Sequence, residues 1–164
     1  MCEVWRGRRL GQASRLTCAA LFCALLLAAP PQTVEGKVVR IVDGDTVDIL
    51  VNRKPARIRL YGIDAPERGQ PYSTQAKRQL GDWIAGEHVR AIIVDRDRYG
   101  RAVARIQYRG NDISERMVGA GLAWWYRQHS QKDRALQSLE QQARKQRKGL
   151  WAQPAVPPWE WRKH

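Results

Sequence analysis

Lys37-Val38-Val39-Arg40-Ile41-Val42-Asp43-Gly44-Asp45-Thr46-Val47-Asp48-Ile49-Leu50-Val51 reads as two short strands, Lys37 to Val42 and Thr46 to Val51, folded back about an Asp-Gly-Asp turn. β-Branched residues fill both runs, and Gly and Asp supply the turn geometry between them. Beyond this hairpin, Arg57 to Ile63 alternates, with Ile58 and Leu60 on one face and Arg57, Arg59 and Tyr61 on the other, as in a strand with one buried side. Pro66 ends that strand. Ser73 to Ala85 opens on Ser-Thr and carries Ala76, Leu80, Trp83 and Ile84 at helical spacing, with Gly86 as the stop. Val89 to Val94 and Ala102 to Tyr108 give two more strands across the charged link Asp95 to Arg101. Asp112 to Val118 then reads as a short helix and Gln131 to Lys148 as a longer one, with Leu136, Leu139 and Ala143 on one side and Gly149 as its cap. Five strands with one helix inserted after the third, followed by further helices, predict an α+β chain: a five-stranded OB-type β-barrel with about three helices. The pattern alone also allows other α+β packings.

Composition narrows the function. The chain has 164 residues, 43% of them hydrophobic, with seven Trp and five Tyr, enough for one packed domain but not for two large ones. Cys2, Cys18 and Cys23 all precede residue 24, so nothing after them can build a disulfide or a thiolate metal site. Zinc-ribbon and thiol-redox chemistry drop out. The net charge is +13, and removing residues 1–35 takes away only Arg6, Arg8, Arg9, Arg15, Glu3 and Glu35, leaving +11 on the rest. A charge of that size favours a polyanionic partner through counterion release; nucleic acid is the commonest, with anionic lipid or cell-wall polymer as alternatives and mere solubility as the bland reading.

The first segment is read separately. Arginines precede an apolar or small-residue run from Leu16 to Ala29 that ends at Pro30-Pro31, the layout of an export signal. A membrane helix needs roughly 20 apolar residues. Residues 1–35 are therefore expected to be an export signal, or an N-terminal anchor if uncleaved, which would be the one route to membrane attachment. A secreted or periplasmic location follows from cleavage. Residues 36–151 form the folded domain, and residues 152–164, with Pro154, Pro157 and Pro158 beside Trp159 and Trp161, form a tail expected to lie across its surface, held by its tryptophans.

The polar residues say more than the fold. Asp45 sits in the tight turn, Asp64 at the end of the Arg59 strand and Glu67 just past Pro66. Carboxylates from separate turns can converge into an all-oxygen site suited to a hard cation such as Ca²⁺ or Mg²⁺. Each acid taken alone is more readily a structural turn residue. His88, His129 and His164 have no ligand or triad spacing, and neither a Walker loop nor a dinucleotide fingerprint occurs, so no nucleotide cofactor is expected.

Three blocks carry a family resemblance: Val39-Arg40-Ile41-Val42-Asp43-Gly44-Asp45-Thr46, then Arg57-Ile58-Arg59-Leu60-Tyr61-Gly62-Ile63-Asp64-Ala65-Pro66-Glu67, then Asp97-Arg98-Tyr99-Gly100-Arg101. In order and spacing they resemble the staphylococcal-nuclease-like (thermonuclease) family, over about Gly36 to Trp151. The resemblance implies an OB-type barrel and Ca²⁺-dependent hydrolysis of DNA and RNA, within strands or from their ends, leaving 3′-phosphates. It implies Asp45, Asp64 and the backbone carbonyl of Ala65 as metal ligands; many relatives have Thr at the last position, which a carbonyl ligand tolerates. Glu67 would hold or deprotonate the attacking water, and Arg59 and Arg101 would grip the scissile phosphate. Arg98 and Tyr99 would contact the bound nucleotide, the alternative for Tyr99 being a packed turn aromatic. Trp124, Trp125 and Tyr126 are read as core first and binding second. The basic residues of the last helix are read as solvated, steering charge. A monomer is the default. Relatives whose acids and arginines are lost serve as binding modules, which makes a non-catalytic nucleic-acid or protein-binding module the competing reading; here Asp45, Asp64, Glu67, Arg59 and Arg101 are all present.

Overall fold

The computed structural model describes residues 32–163; the apolar run from Leu16 to Ala29 lies outside them. The described chain runs β1 (Thr33–Ile41), β2 (Thr46–Val51), β3 (Lys54–Leu60), β4 (Ile63–Asp64), α1 (Ser73–Ile84), β5 (His88–Arg96), β6 (Ala102–Tyr108), β7 (Asn111–Asp112), α2 (Ile113–Gly119), β8 (Trp124–Trp125), α3 (Arg127–Ser130), α4 (Arg134–Lys145), a 3₁₀ turn (Gly149–Ala152) and α5 (Pro158–Trp161). Strand order β3-β2-β1-β5-β6 is closed by a parallel β3–β6 pairing, Ile58 opposite Ala102 and Arg59 opposite Val103. The five long strands thus make a closed OB-type barrel, as the alternation predicts. Three helices have seven residues or more, and α3 and α5 are single turns. No helix of the described residues is long and apolar enough to cross a membrane.

Alternation places the core. Val38, Val47, Ile49, Ile58, Leu60, Val89, Ala91, Ala104 and Ile106 point inward and are buried, and α1 closes over them with Ala76, Leu80 and Ile84. Ladder irregularities at Val38/Arg40 in β1 and Ile93/Asp95 in β5 add the local bend that closure needs. α2 and α4 pack on each other, and their Met117 and Leu136 extend the same buried core.

Several element ends differ from the sequence reading. β1 starts at Thr33 rather than Lys37, because Thr33 to Gly36 pair with Ile92 to Val89 of β5. The Arg59 strand stops at Leu60: Gly62 takes φ +75° and separates Ile63–Asp64 as its own strand. α1 begins at Ser73, but Tyr72 precedes it in the left-handed region and no side chain caps it. The long C-terminal helix starts at Arg134, where the Asp133 carboxylate accepts from the Leu136 amide, so the preceding turn is a separate helix.

Candidate active site

Three backbone features bring the candidate residues together. Asp45 ends the turn before β2, where its own N–H donates to Asp43 Oδ1 at 3.0 Å and its carbonyl accepts from the Leu60 N–H at 2.8 Å. Thr46 is the register partner of Arg59, so Asp45 stands beside that arginine on the neighbouring strand. Asp64 is delivered by the β4–β8 pair, opposite Trp124, once Gly62 has turned the chain. Gly44 allows the turn to approach closely: a Cβ there would lie 2.7 Å from the Ala65 Cβ and 2.8 Å from the Ala76 Cβ.

Arg59 is the hub. Its Nη1 donates to Asp45 Oδ1 at 2.5 Å, and its Nη2 donates to Asp64 Oδ1 at 2.8 Å and to the Ile63 carbonyl at 3.2 Å. Asp45 also accepts from the Thr46 hydroxyl at 3.0 Å and from the Ala65 N–H at 2.8 Å. Both carboxylates are buried, and the Arg59 side chain is 19% exposed. Burial pushes the Asp45 carboxyl above the ordinary carboxylate value, against the pull of Arg59. For Arg59 burial works against the charge, but Asp45 and Asp64 outweigh it and hold the guanidinium above its ordinary value.

Glu67 follows on the loop after β4 and is half-exposed. Its carboxylate is paired with Arg162, which no sequence motif singles out. Arg162, just past α5, also donates to both oxygens of Asp64, at 2.7 Å through Nη2 and 3.4 Å through Nη1. Those bonds to Asp64 are the main reason its guanidinium is held above its ordinary value. The one sequence signal for this contact was the Pro157-Pro158-Trp159 run, which marks an anchored tail but not what the tail delivers.

Arg98, Tyr99 and Arg101 occupy a separate loop between β5 and β6. Asp97 organises it, accepting from the Tyr99 N–H at 2.9 Å, the Arg101 N–H at 3.0 Å and Arg101 Nε at 2.5 Å. Tyr99 is 68% exposed, with the guanidinium carbons of Arg98 and Arg101 at 4.8 and 5.5 Å from its ring centre. It is therefore a displayed aromatic, not a packed one. The β3–β6 seam sets Arg101 one strand away from Arg59 and two residues before Val103, the register partner of Arg59. Trp124 and Trp125 are buried, in line with the core reading, whereas Tyr126 is half-buried and faces Trp159 at 5.6 Å between ring centres.

The two buried carboxylates of Asp45 and Asp64 are oxygen donors of the kind a hard cation takes, with no thiolate or imidazole beside them, while the Ala65 N–H is spent on Asp45 Oδ2. Among the described residues, no group of three or more His, Cys, Asp and Glu is gathered as a metal cluster. The positive charge between Asp45 and Asp64 is supplied by Arg59.

Comparison with known proteins now bears on this geometry. The family described as "Staphylococcal nuclease homologue" matches residues 57–153, which hold Arg59, Asp64, Glu67 and Arg101. The chain belongs to the staphylococcal nuclease family. Within that family it is 40% identical to the "Micrococcal nuclease" of Shigella flexneri over 160 residues, 90% of this chain and 92% of the relative. It is 41% identical to an "Uncharacterized endonuclease" of Escherichia coli O157:H7 over 131 residues, 79% of this chain and 85% of the relative. A third relative, "Protein ParB" of Escherichia coli, is 40% identical over 158 residues, 88% of this chain and 89% of the relative. Family membership with nuclease-named relatives makes the chain a nuclease, a phosphodiester hydrolase whose substrates are nucleic acids.

Proposed function

We propose that this staphylococcal-nuclease-family chain is a Ca²⁺-dependent, sugar-nonspecific nuclease that hydrolyses DNA and RNA phosphodiesters to leave 3′-phosphate ends. The observation that carries this reading is the convergence of Asp45, Arg59 and Asp64, with Glu67 joined to the same Asp64 through Arg162. Asp45, Asp64 and the Ala65 carbonyl would hold Ca²⁺, whose bound state supplies Lewis acidity and orients a water. Glu67 would hold a water or take its proton as the water oxygen attacks phosphorus; the P–O5′ bond breaks, and the departing 5′-oxygen takes up a proton from solvent and leaves as a hydroxyl. The phosphate gains charge as the attack proceeds, and the planar donor groups of Arg59 and Arg101 match its non-bridging oxygens with charge-assisted hydrogen bonds. Tyr99, displayed beside Arg98, offers a ring face on which any base can stack, consistent with weak sequence preference. The arginine-led apolar segment before Pro30 supports export to the periplasm or medium, and the chain is proposed to act as a monomer.

The test is cleavage of single-stranded DNA and of RNA by the full chain with Ca²⁺, with Mg²⁺ or with EDTA, beside Glu67→Gln and Arg101→Ala. The expected result is Ca²⁺-dependent cleavage lost by about 10²-fold or more in each variant, with 3′-phosphate ends on the products. Undiminished cleavage in EDTA would overturn the calcium requirement. A folded parent chain that binds nucleic acid without cutting it would point to the binding-module reading instead.

A further inference from the structure

We infer that the C-terminal tail is part of the active site, with Arg162 as a positioning residue that holds Glu67 against Asp64. This inference rests on the proposed role of Glu67. It concerns residues beyond the stretch that the family match covers, which ends at residue 153.

Glu67 lies on an exposed turn, and its side chain alone does not fix its direction. Its backbone N–H donates to Gln70 Oε1 at 2.9 Å, and Gln70, itself buried, passes its Nε2–H to the carbonyl of Val156 in the tail. The Glu67 carboxylate is then taken by Arg162. The loop is thus tied to the tail twice, once through its backbone and once through the carboxylate that the chemistry needs.

The tail is anchored well enough to do this. Pro158, buried, opens α5 at the position where its missing N–H costs nothing. One residue on, Trp159 meets Trp124 edge-on at 6.5 Å and Tyr126 at 5.6 Å between ring centres. Trp124 is the strand partner of Asp64. Arg162 follows Trp159 by three residues, about one helical turn, so the tryptophan that docks on the partner of Asp64 also sets the arginine above Asp64.

Chemistry favours a guanidinium at this point. Two carboxylates held side by side repel each other, and a planar fork can hydrogen-bond Asp64 with one nitrogen and Glu67 with the other. A lysine ammonium offers the charge without the fork. Restricting the rotamers of Glu67 before substrate arrives lowers the ordering cost at the reaction step.

Steady-state cleavage of a single-stranded DNA oligonucleotide by the full chain tests this, comparing the parent with Arg162→Gln, Arg162→Lys, Trp159→Ala, Glu67→Gln and the Glu67→Gln/Arg162→Gln double variant. The expected result is a kcat lower by about 10-fold or more in Arg162→Gln with KM within about twofold. Arg162→Lys recovers part of the loss, and Trp159→Ala, which keeps Arg162 but loosens its anchor, loses kcat in the same sense. In the Glu67→Gln background Arg162→Gln causes no further loss, because the arginine acts through that carboxylate. An Arg162→Gln enzyme as fast as the parent, or faster, would overturn the inference, and so would an equal loss in the Glu67→Gln background. In either case an active parent and an impaired Glu67→Gln variant leave the nuclease mechanism standing. An inactive parent, or a fully active Glu67→Gln variant, removes the role of Glu67 and this inference with it.

Discussion

Arg59 Nη1 lies 2.5 Å from Asp45 Oδ1, across the pairing of β3 with the turn that opens β2. This contact favours the charged form of the buried Asp45 carboxylate, against the burial that raises it and prevails. Replacing Arg59 with Met removes the partner and leaves Asp45 buried beside Asp64, which is expected to cost about 3 kcal/mol in urea unfolding without divalent cation. The pH dependence identifies the cause. Burial already raises the Asp45 carboxyl, and loss of Arg59 raises it further above its unfolded value of about 4. Folding then takes up a proton that the unfolded chain has released, so the variant loses stability as pH rises through that window and regains it as pH falls toward 4. A deficit independent of pH would show that the lost stability comes from packing instead.

Gly44 gives a second prediction. A methyl group there meets the Ala65 and Ala76 Cβ atoms, both fixed to backbone and unable to swing aside. Gly44→Ala is expected to destabilise the fold by about 1–3 kcal/mol. The strain falls between Asp45 and Ala65, so cleavage should fall as well. Thermal unfolding alongside a cleavage assay checks both, and an unchanged Tm would show that the turn has room to move.

Away from the site, Arg105 joins two helix starts. Asp112 caps α2 and Asp133 caps α4, each giving one oxygen to a backbone N–H, Glu115 at 3.2 Å and Leu136 at 3.1 Å. The other oxygen of each accepts from Arg105, at 2.8 Å for Asp112. Arg105→Met removes both charged bonds together with the guanidinium that lies over the Tyr61 ring, for an expected loss of about 2 kcal/mol in chemical denaturation. Cleavage by the folded fraction should stay at the parent level, since Arg105 touches none of the proposed site residues.

The barrel was legible because period-two alternation states which face is buried, and Ile58 and Leu60 against Arg57 and Arg59 sort in the structure as they do on paper. The Asp-Gly-Asp turn was equally clear, and the structure shows that Gly44 serves close approach to Ala65 and Ala76 rather than an unusual backbone angle. The break in β3 is marked by Ile63, which falls in phase with Arg57, Arg59 and Tyr61 rather than with Ile58 and Leu60 and yet is buried, because Gly62 turns the chain where it packs against Leu136 of α4 and Ser130. At the site, Asp45, Arg59 and Asp64 carry recognisable polar motifs, and the structure assembles them. Arg162 has no such signature. It lies 98 residues from Asp64 in sequence, and contacts that distant are made by docking of the tail, which no local pattern records.

Asp97 and Arg101 give the last prediction. For Asp97, burial raises the carboxyl, but the bonds from the Arg101 side chain and from the backbone N–H groups of Arg101 and Tyr99 prevail, and the net direction is down. A carboxyl held below its unfolded value stabilises the fold above about pH 4 and loses that contribution as pH falls through the lowered folded value. Asp97→Asn should therefore be less stable than the parent at neutral pH, with the gap closing in acid. Urea unfolding of both proteins from pH 3 to pH 7 measures it. The same substitution releases Arg101 from the carboxylate that orients it, so at neutral pH the variant should also cleave more slowly, the slender loop no longer presenting a fixed guanidinium to the phosphate. A gap that widens in acid would mean that Asp97 is held above its ordinary value and that the three N–H donors do not govern its charge.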